Sequence, residues 1–233
     1  MLSFPIDLVI FDCDGVLVDS ELIASHVLSA YLKTLGLTIS PAQCRARFTG
    51  ISLPAVQAHI QREDAVALPP DFEQEVRRRD LLAFERDLKA MPGIGKALKK
   101  CPFAKCVASS GSSEKIRHSL TLTHLIDYFD GHLFSAGQVA HGKPAPDLFL
   151  FAAETMAADP THTVVIEDSL AGVQAGVGAG MRVLGFIGGG HIAPGHDARL
   201  RDAGALDVFA DMTRLNALLA RLDGDQGAAP SSG

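Results

Sequence analysis

The sequence has no surplus of positive charge: 21 Lys and Arg stand against 27 Asp and Glu, a formal net charge of -6. That balance offers no electrostatic footprint for nucleic acid or an anionic membrane, so recognition of phosphate has to come from a local site. Paired cysteines are missing too. Cys13, Cys44, Cys101 and Cys106 show no CxxC spacing, which argues for buried or incidental thiols rather than a zinc or dithiol redox centre. Residues 1–11 contain no Lys or Arg, so they lack the charged start of a secretory signal. No apolar run reaches membrane-spanning length. Together these absences lead to the expectation of a cytoplasmic protein with reduced thiols. There is no internal repeat.

What is present fits a folded enzyme-sized body. Of the 233 residues, 47% are hydrophobic and 21% charged, as in ordinary globular proteins, and the length suits one or two domains with a sizeable core. Short apolar runs rich in strand formers recur at 6–11, 104–109, 163–167 and 182–187, with weaker ones at 132–135 and 207–210. Helical patterns separate several of them. Such alternation predicts an α/β fold with a Rossmann-like, doubly wound parallel sheet.

The stretch 21–88 differs, because Val27, Leu28, Tyr31, Leu32 and Leu35 recur at helical spacing. It reads as a helical insertion punctuated by Gly36, Pro41, Gly50, Pro54 and Pro69-Pro70. The charges from Glu73 to Asp80 read as a solvated helix face. The expected organisation is a core of 1–20 and 89–223, a helical unit of 21–88, and a disordered polar tail of 224–233.

Four segments carry chemistry. The first strand delivers Asp12 and Asp14 into Asp12-Cys13-Asp14-Gly15, at the sheet edge where open parallel sheets bind ligands. One carboxylate can attack phosphorus, while the other donates a proton to the leaving oxygen and later activates water. A turn cap is the plainer alternative, but two such carboxylates repel each other unless a cation is near. Ser109 and Ser110 end the second strand before a helical pattern at Glu114–Leu122, where hydroxyls and helix-start amides can hold phosphate oxygens or merely cap the helix. Lys143 precedes a rigid Pro144-Ala145-Pro146 turn and a helix starting near Asp147. Fixed there, it can neutralise both the attacking carboxylate and the phosphate, unlike an ordinary surface lysine. Glu167 and Asp168 end another strand; they suit the oxygen-rich shell of magnesium, or the positive start of the following helix. Gly172, Gly176, Gly178 and Gly180 lie within or at the end of that helix, which predicts close helix packing rather than a dinucleotide loop.

Taken in order, the four segments resemble the signature motifs of the haloacid dehalogenase superfamily, with the beta-phosphoglucomutase-like phosphatase branch as the best match. The resemblance runs from Phe11 to about Asp211, and 21–88 is similar to that family's alpha-helical cap. It implies Asp12 as nucleophile, Asp14 as acid/base, Ser109 as phosphate ligand with Ser110 beside it, and Lys143 as charge stabiliser. It further implies Mg2+ held by Asp12, Glu167, Asp168 and the backbone carbonyl of Asp14. The substrate implied is a small phosphomonoester, a sugar phosphate or sugar-acid phosphate. No nucleic-acid or membrane partner is expected, and monomer and small homo-oligomer both remain open. Val16 stands where Thr is commoner, and Ser110 where Asn is frequent; neither removes a required group. Asp14 argues against the carbon-halogen branch, which lacks that second aspartate. A phosphosugar mutase is the runner-up, disfavoured because Ala24 and Leu53 stand near the mutase's His and cap Arg. A receiver-like signalling domain, which also uses an acidic pocket and a Lys-Pro, is disfavoured by Asp14 and the long insertion.

Overall fold

The computed structural model describes residues 5–64 and 66–224. Six strands form one parallel sheet: β1 (Leu8–Phe11), β2 (Ala104–Ser109), β3 (Leu133–Ser135), β4 (Thr163–Glu167), β5 (Arg182–Phe186) and β6 (Asp207–Phe209). Their spatial order is β3-β2-β1-β4-β5-β6. All six expected runs are strands, some shorter at their ends than the apolar pattern. β1 is central and wholly buried, so its alternate side chains feed two different cores. Val9 and Phe11 pack with α5 (Ile94–Lys100), α6 (Ser113–Leu122) and α10 (Leu215–Gly224) through Leu98, Ile116 and Leu219. Leu8 and Ile10 face α7 (Asp147–Thr155), α8 (Leu170–Gly178) and α9 (His196–Asp202) through Phe149, Val173 and Leu200. Each such side chain contributes roughly 1.5–3 kcal/mol by leaving water, which makes this alternation the main determinant of the layered body.

Between β1 and α5 lie four helices: α1 (Glu21–Thr34), α2 (Pro41–Phe48), α3 (Leu53–Glu63) and α4 (Phe72–Asp87). They enclose a separate hydrophobic cluster that includes Leu28, Tyr31 and Leu32 of α1, Phe48 of α2, Ile60 of α3, and Phe72 and Val76 of α4. Tyr31 stacks on Phe72 with centroids 5.7 Å apart. Ser40 and Gln43 form a reciprocal capping box that starts α2, satisfying two helix-end donors. The chain enters and leaves this insertion side by side, where Asp19 N donates to Lys89 O (3.0 Å) and Met91 N to Leu17 O (2.8 Å).

The charged face of α4 is largely as expected, with Arg77 on Glu73 and Arg78 and Arg79 on Glu75. Asp80 departs from it, being buried at 7% exposure. Two of the four glycines expected to serve close packing do so: a Cβ on Gly176 would lie 2.7 Å from Val183 of β5, and one on Gly172 would meet Glu167 Oε1, whereas Gly178 has only ordinary contact with Pro146 and Gly180 faces open space. All four cysteines are free and buried. Among the described residues no helix is long and apolar enough to cross a membrane. The expected tail, apart from Gly224, lies outside the described residues.

Candidate active site

The carboxyl edge of the sheet gathers the motif residues, because β1, β2 and β4 end side by side. Asp12 follows β1, tied through its backbone N–H to Ile166 O at 3.0 Å. Lys143 reaches it from the loop before α7, where a cis peptide joins Lys143 to Pro144. Its ammonium has three donors, and three acceptors meet it: Asp12 Oδ1 at 2.6 Å, Glu167 Oε1 at 2.7 Å and Ala108 O at 3.0 Å. Its side chain is 1% exposed. Burial opposes its charge, yet Asp12 and Glu167 outweigh that and raise its pKa, so it stays a cation. Burial pushes the Asp12 carboxyl well above the ordinary range; Lys143 acts against this, while Glu167, Asp168 and Asp14 add to it.

Glu167 has both oxygens engaged. Besides Lys143 on Oε1, its Oε2 accepts from Asp168 N (2.9 Å), Ser169 N (2.8 Å) and Ser169 Oγ (2.9 Å). It therefore braces the turn into α8. Asp168 differs, since its buried Oδ2 accepts no hydrogen bond, although His191 Nε2 lies 2.7 Å away without hydrogen-bond alignment. Gly15, at φ +83°, passes so near that a Cβ there would fall 2.0 Å from Asp168 Oδ2, and positive φ is itself costly for other residues. Ser109 is buried at the end of β2, its Oγ accepting from Gly111 N at 3.1 Å. Ser110 Oγ donates instead to Gly50 O at 3.0 Å, across to the helical insertion.

Asp14 is held by Ser20, at the end of the first motif segment, and by Lys115, which lies outside all four. Ser20 Oγ donates to its Oδ1 at 2.6 Å, and Lys115 Nζ, from the first turn of α6, lies 3.0 Å from the same oxygen. Burial raises this carboxyl, but Lys115 and Ser20 outweigh it and bring its pKa below the ordinary value. His196 Nε2 meets Asp168 O at 2.6 Å, so two histidines touch Asp168, His191 from the loop between β5 and α9 and His196 from the start of α9. Lys115, His191 and His196 gave no sequence signal, because none sits in a strand-end motif. Nearby Glu21, at the start of α1, is pushed up to about 7, chiefly by burial and then by Asp14 and Asp168.

The donor set suits a hard divalent cation. Buried carboxylates crowd together, and the Asp168 Oδ2 that meets only His191, at 2.7 Å, is the kind of atom magnesium binds. Among the described residues no group of three or more His, Cys, Asp or Glu closes a metal cage by itself.

A cavity of about 590 Å³ opens between sheet edge and helices, lined by Asp12, Asp14, Ser109 and Lys115 on one side and by Ser25 and Arg45 on the other. Its size is within the range of small-molecule sites.

The family model for haloacid dehalogenase-like hydrolases matches residues 6–180. The chain is 34% identical over 190 residues to a 6-phosphogluconate phosphatase of Escherichia coli (strain K12), covering 81% of this chain and 86% of that one. It is 29% identical over 187 residues to a phosphorylated carbohydrates phosphatase of Thermotoga maritima, covering 77% and 84%. A crystal structure of a conserved haloacid dehalogenase-like protein of unknown function from Agrobacterium tumefaciens str. C58 superposes with TM-score 0.80 at 37% identity, covering 93% of this chain and 99% of the other. The fold, the strand-end motifs and these likenesses agree: the chain belongs to the haloacid dehalogenase-like hydrolases, and it is an enzyme of their phosphatase kind.

Proposed function

We propose that the protein hydrolyses a small phosphomonoester, a sugar phosphate or sugar-acid phosphate, through a phosphorylated Asp12. The observation that carries this reading is the buried lysine at the sheet edge: Lys143 Nζ lies 2.6 Å from Asp12 Oδ1 and 2.7 Å from Glu167 Oε1. A cation held there opposes the burial that raises Asp12, favouring the carboxylate that attacks, and offsets charge developing on the phosphoryl oxygens.

Asp12 attacks phosphorus through a carboxylate oxygen as the bond to the ester oxygen breaks, and Asp14, acting from the protonated form that Lys115 and Ser20 disfavour, gives that oxygen its proton. Asp14, now a carboxylate, takes a proton from water, which attacks the same phosphorus; phosphate leaves and Asp12 is restored. Ser109 and neighbouring amides orient the phosphoryl oxygens. Asp12, Asp168 and the Asp14 backbone carbonyl would hold Mg2+, with Glu167 bracing Asp168. When bound, the ion supplies positive charge that offsets phosphate and carboxylates in one site.

The segment 21–88 acts as a cap that closes over the cavity, hinged at Val16–Ser20 and Lys89–Gly93. The paired crossings at Asp19–Lys89 and Leu17–Met91 support such a hinge, and the Ser110–Gly50 hydrogen bond supports a closed state that excludes water. Ala24 and Leu53 both line the cavity, which favours hydrolysis over a mutase that would need polar groups there. Steady-state phosphate release over a panel of sugar phosphates, sugar-acid phosphates, phosphoglycolate and nucleotides tests the reading. Release from compact phosphomonoesters with magnesium is expected; conversion of glucose 1-phosphate to glucose 6-phosphate without net release would contradict it.

A further inference from the structure

The cap carries seven arginines, Arg45, Arg47, Arg62, Arg77, Arg78, Arg79 and Arg86, and six are paired with a carboxylate of the cap itself. Arg45 is the exception. Among the described residues no Asp or Glu forms an ion pair with it; its Nη1 donates to Ser25 Oγ at 3.2 Å, and Ser25 in turn donates to Leu22 O at 2.8 Å. Arg45 is half-buried and lines the cavity shared with Asp12 and Ser109. A guanidinium has five donors, so one contact to a hydroxyl orients it from α1 and leaves most of its hydrogen-bonding capacity unused. Withdrawing a cation from water without a counter-ion is costly, and that cost is offset once an anion joins it.

The cations that act most strongly on Asp12 and Asp14 are Lys143 and Lys115, which makes Arg45 a charge separate from the reacting centre. Glu21 and Asp80 also line the cavity, but neither forms an ion pair with Arg45; Glu21 accepts from Thr49 Oγ1 at 3.3 Å, and Lys115 attracts Asp80. Leu28, Phe48 and Val56 give the same cavity an apolar wall. An apolar wall with one unpaired guanidinium matches a ligand that brings a single negative charge at the end remote from its phosphate.

We propose that Arg45, oriented by Ser25, binds a carboxylate of the substrate, so that the preferred substrates are sugar-acid phosphates rather than neutral sugar or polyol phosphates. This rests on the phosphatase reading above and narrows it. A carboxylate takes two parallel N–H donors from one guanidinium, whereas a second phosphate dianion calls for more than one cation. Arg77, the other cap arginine on the cavity, is already held by Glu73 at 2.8 Å.

The test is calorimetry on an Asp12→Asn protein, which reads binding without turnover. 6-Phosphogluconate and sorbitol 6-phosphate are matched ligands, open six-carbon chains that differ in a carboxylate against a hydroxymethyl group at the end far from phosphate. The acid is expected to bind roughly 10- to 100-fold more tightly, the scale of a charge-assisted hydrogen bond. Adding Arg45→Met should bring that ratio close to one, and Arg45→Lys should leave an intermediate ratio. Arg47→Met, which removes an arginine paired with Asp64, should keep the full ratio. Equal affinity for the two ligands, or an undiminished ratio in folded Arg45→Met protein, overturns the proposal. Tighter binding of fructose 1,6-bisphosphate than of the acid overturns it as well. Because binding is read in a protein that cannot form the phosphorylated aspartate, a wild type that releases no phosphate would count against hydrolysis and not against Arg45.

Discussion

Lys115 Nζ lies 3.0 Å from Oδ1 of Asp14, so a lysine from α6 sets the charge of the carboxyl proposed to protonate the leaving group. Burial raises Asp14, and Lys115 is the largest influence against it. Lys115→Met should therefore raise the Asp14 pKa and move the limb of the kcat/KM profile that reports it to higher pH, by about one pH unit. A profile superimposable on wild type would separate Lys115 from the acid/base function.

Gly50 is where the cap meets the core. It has φ +83°, and a Cβ there would fall 2.4 Å from Ser169 Oγ, beside the Glu167 brace. Gly50→Ala should hold the cap away from the sheet edge and lower kcat/KM on the order of 100-fold, the cost of misplacing a substrate by about an ångström. Circular dichroism should show a folded protein. Unchanged kinetics would mean that closure at Gly50 plays no part in catalysis.

Asp80 provides a stability test apart from activity. Burial lifts its carboxyl to about 6, against the attraction of Lys115, and its Oδ1 has no hydrogen-bond partner. A carboxyl raised in the folded state binds its proton more tightly there than in the unfolded chain. Its stabilising neutral form is thus fully present below the unfolded value and lost as pH rises through about 6. Asp80→Asn should leave Tm near wild type at pH 4 and raise it relative to wild type at pH 7.5, by up to about 3 kcal/mol of stability. A mutant difference independent of pH would refute the buried-carboxyl account.

Removing divalent metal with a chelator should abolish turnover, and magnesium should restore it, because phosphate adds negative charge to carboxylates that already crowd one another. Calcium should restore little, since its larger, more flexible shell accepts both oxygens of a carboxylate and would tie up Asp12. Full activity in chelator, or equal rates with calcium, would contradict the proposed site.

The sheet and the motif positions were legible because they arise from one physical regularity: buried parallel strands read as apolar runs, and the polar residues that follow them fall at one edge. Asp12, Ser109, Glu167 and Asp168 needed only that rule, and Lys143 was marked by its Pro-rich turn. The insertion was visible as a change from strand runs to helical spacing, with Tyr31 and Leu32 on its inner face. Lys115, His191 and His196 were not legible, since each acts by side-chain reach from α6, from the loop between β5 and α9, or from the start of α9. Ser110, expected beside phosphate, donates its hydroxyl to the Gly50 carbonyl. That contact depends on how the cap sits, which local spacing cannot specify. Asp80 shows the same limit in reverse: amid Arg77, Arg78 and Arg79 it reads as solvated, yet helix phase turns it inward beside Lys115.

The central claim is that phosphate passes through Asp12. Rapid mixing of wild-type protein with 32P-labelled 6-phosphogluconate and magnesium, followed by acid quench and peptide mapping, tests it most directly. The expected result is label on the peptide containing Asp12, released by hydroxylamine as an acyl phosphate should be and absent from Asp12→Asn, which should also lose turnover while remaining folded. Wild-type rates in pure Asp12→Asn protein, or label on another residue during turnover, would contradict the account.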